Sequence, residues 1–257
     1  MAKAVAENYI KFLGTAGARF VMIKQLRSSG GLWISYKGTN LIVDPGPGSI
    51  ARCALSKPKL DPMKLDGILL THRHLDHSND INVMIEAMTE GGFKKRGTVF
   101  LPADAIEEDP LILKHLRPVI GDIQILEEKK EYGLGEIRFR VPAKQRHPVA
   151  TYGLLFDFKP SVSLIADTRY YEGIEELYRA QVVIINVVFY EDRPGIEHLS
   201  LPDARKIIRD MRPKTAILTH FGMTMLTHKP HILAEDLSDE LNTRVIAAYD
   251  GMKFILT

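Results

Sequence analysis

The residues best suited to chemistry lie in one short segment that follows an apolar run. Residues 72–77 (HRHLDH) contain three histidines and an aspartate, and they come soon after the apolar residues 68–70. Imidazole and carboxylate groups are ligands that suit zinc, manganese or iron. A strand followed by a tight loop can direct alternate side chains to one point. The segment therefore predicts a metal site.

Three further residues of ligand type lie far from this segment in the sequence. Each follows a strand-like run, and they are His147, Asp167 and His220. A catalytic metal site is commonly assembled from the ends of several strands, and each of these residues has that context. We therefore expect four strand ends to converge on one site.

This pattern resembles the metallo-β-lactamase superfamily, whose signature is His-x-His-x-Asp-His followed by separate His, Asp and His ligands. The similarity runs through nearly the whole chain. It includes residues 41–46 (LIVDPG), which resemble the family's first motif, where an aspartate, here Asp44, supports the site. The resemblance implies an α/β fold, namely the four-layer αβ/βα metallo-β-lactamase sandwich. We expect a single domain over residues 1–257.

The resemblance also implies a dinuclear site with two divalent ions, zinc first and manganese or iron as alternatives. Two such ions can lower the pKa of a bridging water so that it is hydroxide near neutral pH, and one can polarise a substrate oxygen. One ion is assigned to His72, His74 and His147, the other to Asp76, His77 and His220, and Asp167 bridges them.

Within the superfamily the chain is most similar to the phosphodiesterase branch that includes tRNase Z. Residues 12–17 (FLGTAG) resemble the Phe-Leu-Gly-Thr-Gly start of that branch, and residues 218–222 (LTHFG) resemble its Leu-Thr-His-Phe-Ser segment. His198 matches the histidine that helps to protonate the leaving group there. Asp76 and His198 are thus the candidate catalytic residues, and phosphodiester hydrolysis is the implied reaction.

Two features depart from the tRNase Z pattern. That branch has a glutamate, which orients its catalytic histidine, where this chain has Asn186, so Glu191 or Glu197 would have to supply the charge. No long Gly/Pro-rich arm for gripping tRNA lies between His147 and Asp167.

Charge also gives no support to an RNA substrate. The formal net charge is +2, and the basic clusters at residues 94–96 and 129–130 are short, which is typical of solvated surface turns. We therefore expect a small-molecule or nucleotide-like ester as the substrate, with RNA as the alternative that charge does not support. The resemblance to the branch implies a homodimer.

Three alternatives remain open at this point. A lactonase or thioesterase would use the same seven ligands, and would differ in having a hydrophobic pocket and in its need for His198. A metal-binding protein could keep the ligands without turnover. A flavodiiron-type oxidoreductase would have a carboxylate in place of His74 and an added flavin domain, and the chain has neither.

Composition is ordinary for a globular enzyme, with 45% hydrophobic and 26% charged residues. No apolar run approaches the roughly 18 residues that cross a membrane, and the first residues lack the apolar stretch of a secretory signal. The single cysteine, Cys53, cannot form an internal disulfide. We expect a cytoplasmic enzyme that does not associate with membranes.

Hydrophobic periodicity predicts the elements that position these residues. Ser78 is predicted to cap a helix whose apolar face contains Ile81, Met84, Ile85 and Met88, and Ser200 to cap a helix over residues 201–211. Asp250-Gly251 predicts a hairpin between strands at residues 245–249 and 252–256. Further strands are predicted at residues 9–14, 31–36, 39–44, 66–71, 98–101, 136–141, 152–158, 161–166 and 182–189.

Overall fold

Two seven-stranded β-sheets stack face to face, with α-helices on their outer faces, in a computed structural model that describes residues 7–107 and 110–257. The first sheet contains β1 (Tyr9–Phe12), β2 (Leu32–Tyr36), β3 (Thr39–Val43), β4 (Gly67–Leu69), β5 (Arg96–Leu101), β6 (Ile120–Ile125) and β14 (Lys253–Ile255). The second contains β7 (Lys130–Leu134), β8 (Ile137–Val141), β9 (Leu154–Phe156), β10 (Val162–Ile165), β11 (Val182–Asn186), β12 (Thr215–Thr219) and β13 (Arg244–Ala247).

The helices are mostly short and connect the strands. They are α1 (Ala18–Ile23), α2 (Ser49–Leu55), α3 (Leu75–Ser78), α4 (Ile81–Met88), α5 (Ile174–Leu177), α6 (Leu201–Met211), α7 (Met223–Thr227) and α8 (Pro230–Leu241). In the described part of the chain, none of them is long and apolar enough to cross a lipid bilayer.

The two sheets have the same pairing pattern. In the first sheet the order is β14-β1-β2-β3-β4-β5-β6, antiparallel as far as β3 and parallel from there. In the second the order is β13-β12-β11-β10-β9-β8-β7, parallel as far as β10 and antiparallel from there. Parallel strands end at the same edge of their sheet, and ligands of α/β proteins bind outside such edges.

Buried strands send alternate side chains into different cores because the side-chain period of a strand is two. In β11, Val182 and Ile184 pack in the core between the two sheets, whereas Val183 and Ile185 pack against the helices outside the second sheet. Outside the first sheet, Ile68 of β4 packs in a third core with the apolar face of α4. Three cores between four layers confirm the αβ/βα sandwich.

The predicted C-terminal hairpin is wrong. β13 pairs with β12 in the second sheet, while β14 pairs with β1 in the first. The Asp250 carboxylate accepts hydrogen bonds from Thr15 Oγ1 at 2.8 Å and from the Ser28 amide at 2.7 Å. The Gly251 amide donates to the Phe12 carbonyl at 2.7 Å. These long-range bonds make residues 250–251 a crossover between the sheets instead of a hairpin turn.

The predicted cap at Ser78 is also wrong, although the apolar face of the helix is as expected. Ser78 is the last residue of α3, and its hydroxyl donates to the carbonyls of Arg73 at 3.1 Å and His74 at 2.9 Å. The end of the motif and Ser78 form one helical turn, so the Ser78 hydroxyl bonds to carbonyls that precede it in the chain instead of capping the next helix. The Ser200 cap is confirmed, with a reciprocal capping box to Asp203.

Replacement of Ile184 by alanine tests the core between the sheets. Ile184 is 1% exposed, so its truncation should lower the free energy of unfolding by about 2–5 kcal/mol. The control is Ile232→Ala on α8, where the side chain is 40% exposed and the loss should be about 1 kcal/mol or less. Urea unfolding measures both values, and equal losses would contradict this packing.

Candidate metal centre

The seven predicted ligands lie together at the edge where the parallel strands of both sheets end. Each belongs to at least one group of three residues whose ligand atoms all lie within 4.8 Å of one another. The groups are His72, His74 and His147; His72, His77 and Asp167; Asp76, His77 and His220; and His147, Asp167 and His198. Four of the seven ligands lie close together in the sequence, within the HRHLDH motif, so the fold brings in the other three and also His198.

The first trio of histidines forms one side of the cluster. His74 Nδ1 lies 3.1 Å from His147 Nε2, and the ring of His72 is 4.8 Å from that of His74 and 5.1 Å from that of His147, centre to centre. Three imidazoles facing one point can hold a divalent ion and leave room for a further ligand.

The second trio lies beside the first, with Asp167 between them. His77 Nε2 is 2.9 Å from His220 Nε2, and Asp76 Oδ2 is 3.4 Å from that same His220 nitrogen. Asp167 Oδ2 lies 3.6 Å from His77 Nε2 and 3.9 Å from His72 Nε2. One carboxylate oxygen thus faces both trios, which is the place the sequence resemblance implies for a bridging ligand.

Hydrogen bonds behind the histidines fix which ring nitrogen faces the cluster. His77 Nδ1 is 3.0 Å from Asp44 Oδ2, to which it donates. The Thr71 hydroxyl donates to the same oxygen at 2.7 Å and accepts from His72 Nδ1 at 3.0 Å. His147 Nδ1 donates to the Glu197 carbonyl at 2.9 Å. All three histidines therefore direct Nε2 at the cluster, as ligating histidines do.

The electrostatics of the cluster favour a cation. Although burial opposes its protonation, Asp76, Asp167 and Asp44 raise the pKa of His77 well above its usual value. Burial instead lowers the pKa of His72, which keeps that ring neutral, and the buried His72 Nε2 has no hydrogen-bond partner. Carboxylates that attract positive charge, beside a neutral and unpartnered nitrogen, fit a metal ion.

His198 lies at the edge of the cluster, and its Nδ1 is 3.5 Å from Asp167 Oδ2. The expectation that Glu191 or Glu197 supplies its charged partner is wrong, because Asp167 is its carboxylate partner within 4.0 Å among the described residues. Burial lowers the pKa of His198 to about 4, so the ring is neutral at neutral pH.

Asn186 acts on Asp167 rather than on His198. Its amide donates to Asp167 Oδ1 at 2.8 Å, which leaves Oδ2 directed at the histidines. An asparagine suits this position because its side-chain amide donates this hydrogen bond, which a carboxylate cannot do. Sequence comparison with the tRNase Z pattern showed the change at this position but not its partner.

The backbone of the His220 loop is held by a loop from the other sheet. Residues 14–17 lie between β1 and α1, and they pair with the residues after β12. Phe221 donates to the Thr15 carbonyl at 2.9 Å, and Gly17 donates to the Phe221 carbonyl at 3.0 Å. A Cβ at Gly17 would lie 2.0 Å from the His220 carbonyl oxygen and 2.7 Å from its Nδ1. This glycine therefore permits the close approach that positions His220.

The Asp104 carboxylate links the two loops that carry His72, His74 and His147. Asp104 Oδ2 lies 3.3 Å from Nε of Arg73, the residue between His72 and His74 in the sequence. The same oxygen accepts a hydrogen bond at 3.1 Å from the amide of Ala150, three residues after His147. No sequence signal marks Asp104, because nothing local indicates that its partners are 31 and 46 residues away.

A cavity of about 810 Å³ opens onto the cluster. Its floor includes His74, Asp76, Asp167 and His198, and its walls are mainly apolar side chains from α1, α3 and α7. The volume lies in the range of small-molecule sites. The arrangement can present a small ester to the candidate metal centre.

Fold and site together define the class of protein. The chain belongs to the β-lactamase superfamily, since the family described as "Beta-lactamase superfamily domain" matches residues 39–221.

Individual relatives extend this comparison. An uncharacterized protein of Methanocaldococcus jannaschii is 29% identical over 253 residues, which cover 95% of this chain and 93% of that protein. Ribonuclease Z of Methanopyrus kandleri is 24% identical over 280 residues, covering 96% of this chain and 97% of the relative. The crystal structure of the metallo-β-lactamase fold protein YhfI from Bacillus subtilis has a TM-score of 0.80 at 20% identity, over 97% of this chain and 100% of that one. The structural likeness confirms the fold.

Replacement of Asp44 by asparagine tests the support behind His77. Asp44 has a left-handed backbone with φ of 53°, which asparagine tolerates, so the change isolates the lost carboxylate oxygen. We expect zinc affinity to fall about 10- to 100-fold, as measured by competition with a chromogenic chelator. Asp66→Asn is the control, because Asp66 accepts a backbone hydrogen bond at the opposite end of β4. Equal losses in the two variants would contradict the role of Asp44.

Replacement of Gly17 by alanine tests the positioning of His220. The added methyl group should displace the His220 loop and reduce the zinc bound per chain, which elemental analysis of the purified protein measures. In the control, Gly133→Ala, the new Cβ meets only the flexible end of Arg138, so bound zinc should not change. Full zinc content in Gly17→Ala would show that the loop relaxes without moving the histidine.

Proposed function

We propose that this protein is a dinuclear metal-dependent hydrolase that cleaves small phosphodiesters. The observation that carries the proposal is the meeting of seven candidate ligands in one cluster, of which His74, Asp76 and Asp167 line the floor of one cavity together with His198. The curated relative named ribonuclease Z, whose name states action on RNA, supports cleavage of a phosphodiester bond.

The two trios would each hold one divalent ion, zinc first and manganese or iron as alternatives, with Asp167 between them. Such ions, when bound, polarise a substrate oxygen and activate a water molecule for attack. The protein's own part is to keep the ligands in place and in the right protonation state. Asp44, Thr71 and the Glu197 carbonyl do this for three histidines, and Asn186 does it for Asp167.

His198 is the proposed proton donor to the leaving group. Its ring faces the cavity beside Asp167, so it lies where a bound ester would meet the cluster. Asp167 raises the pKa of His198 against the effect of burial, and a bound phosphodiester anion would raise it further, so the ring can take up a proton and then give it to a leaving oxygen that develops negative charge. Asp76 is proposed to act as a ligand whose carboxylate also orients the attacking group.

The charge distribution favours a small substrate over RNA. In the basic clusters, Lys94 lies 2.8 Å from Glu90, Arg96 lies 3.5 Å from Asp66, and Lys130 lies 2.7 Å from Glu127. These cations are partly neutralised by local carboxylates, so they do not form a free track for a phosphate backbone. A nucleotide-like or other small ester is therefore the proposed substrate.

Hydrolysis of an acyl ester, in a lactone or a thioester, is the second candidate. The apolar walls of the cavity favour it, since an acyl chain would pack there. Thioester cleavage differs from phosphodiester cleavage in its need for His198, because a thiolate leaves more easily than an alkoxide.

Replacement of His198 by alanine, compared on two phosphodiesters, tests the proposal. A dinucleoside phosphate has an alkoxide leaving group that needs a proton, whereas p-nitrophenolate leaves without one. With the zinc-loaded protein, kcat on the dinucleotide should fall about 10²- to 10⁴-fold. On bis(p-nitrophenyl) phosphate, the loss should be about tenfold or less because general-acid catalysis contributes little there.

His231→Ala is the control, since that histidine is exposed on α8 and should leave both rates unchanged. Equal losses on the two phosphodiesters would contradict the role of His198 as a proton donor. Two bound metal ions without phosphodiester turnover, but with turnover of acyl thioesters or lactones, would favour the second candidate.

A further inference from the structure

We propose that the substrate carries an apolar arm, an alkyl or aryl group, which packs against α1 while its phosphodiester lies at the metal centre. This inference rests on the proposed function and names the substrate class more narrowly. It concerns the apolar wall of the cavity, defined here as Phe20 and Ile23 of α1, Leu75 of α3, Ile196 of the loop before α6, and Met223 of α7.

The first observation is the exposure of this wall. Phe20 is 65% exposed, Ile23 is 66% exposed and Leu75 is 62% exposed, and all three line the same cavity. Scattered exposed apolar side chains are normal on a protein surface, whereas side chains that converge on one concave surface indicate a binding site. The wall therefore has an apolar occupant in the functional state.

The second observation is the position of the wall. The same cavity is lined by His74, Asp76, Asp167 and His198, so an occupant of the wall is in reach of the candidate metal centre. Its volume of about 810 Å³ fits a small molecule and not a folded partner. The occupant that this continuity favours is part of the substrate.

The third observation is the charge at the cavity. Arg19 and Arg193 line it, and neither guanidinium has an ion-pair partner within 4.0 Å among the residues that the structure describes. Arg193 lies over the Phe189 ring, 5.0 Å from its centre. Two uncompensated cations beside an apolar wall fit an anion with an apolar arm, which a phosphodiester with an alkyl or aryl group provides.

Binding of monoalkyl phosphates to the zinc-loaded protein tests the inference without requiring turnover. We expect the Kd, measured by calorimetry, to fall roughly two- to fourfold for each added methylene, which is at least about 30-fold from methyl to hexyl phosphate. Phe20→Ser should remove most of that gain. Phe93→Ser is the control, because Phe93 is 92% exposed outside this cavity and the gain should remain.

The outcomes separate this inference from the proposed function. Equal Kd values for methyl and hexyl phosphate overturn the apolar arm, whether or not phosphodiesters are cleaved. A dimer in sedimentation that Phe20→Ser abolishes, together with equal Kd values, would overturn it in favour of a second copy of the chain on the wall. Chain-length dependence without any phosphodiester turnover would overturn the proposed reaction and leave the apolar arm supported.

Discussion

The site depends on one buried carboxylate, that of Asp44. It accepts hydrogen bonds from the Thr71 amide, the Thr71 hydroxyl and His77 Nδ1, and so connects the end of β3 to the loop after β4. A buried carboxylate is costly unless such donors surround it, and the same donors are then held in place by it. Through Thr71 the constraint extends to His72, so one side chain sets the ring orientation of two candidate ligands.

The symmetry of the sheets brings the remaining groups to Asp44. One half of each sheet is parallel, β3 to β6 in the first and β10 to β13 in the second, and candidate ligands follow β4, β10 and β12 of these halves. Backbone contacts then join the loops across the two sheets. Tyr152 donates to the Thr71 carbonyl at 3.0 Å, and the Gly17 and Phe221 loops pair with each other. The candidate ligands are therefore held by strand ends and cross-sheet hydrogen bonds, which is the preorganisation that a catalytic site needs.

In the proposed function, the cluster binds the metal ions and the cavity selects the substrate. The cluster collects histidine nitrogens and carboxylates whose charges favour cations, and its supporting hydrogen bonds come from Thr71, Asn186 and the Glu197 carbonyl. The cavity combines apolar side chains with two arginines, so it can distinguish among esters by the group they carry. This separation allows one ligand set to be combined with different substrates, because the cavity and not the cluster contacts the group that the ester carries.

The sequence by itself determined the ligand types, the order in which they occur and the strands that precede them. These features follow from local periodicity and from the close spacing within residues 72–77, which need no knowledge of distant contacts. Tertiary structure decided the features that depend on contacts between residues far apart in the chain. It made residues 250–251 a crossover, directed Asn186 to Asp167, and placed Gly17 against His220. It also assembled the apolar wall from helices that are far apart in the chain. Such outcomes depend on which strand edges and loops meet, and local sequence carries little information about partners tens or hundreds of residues away.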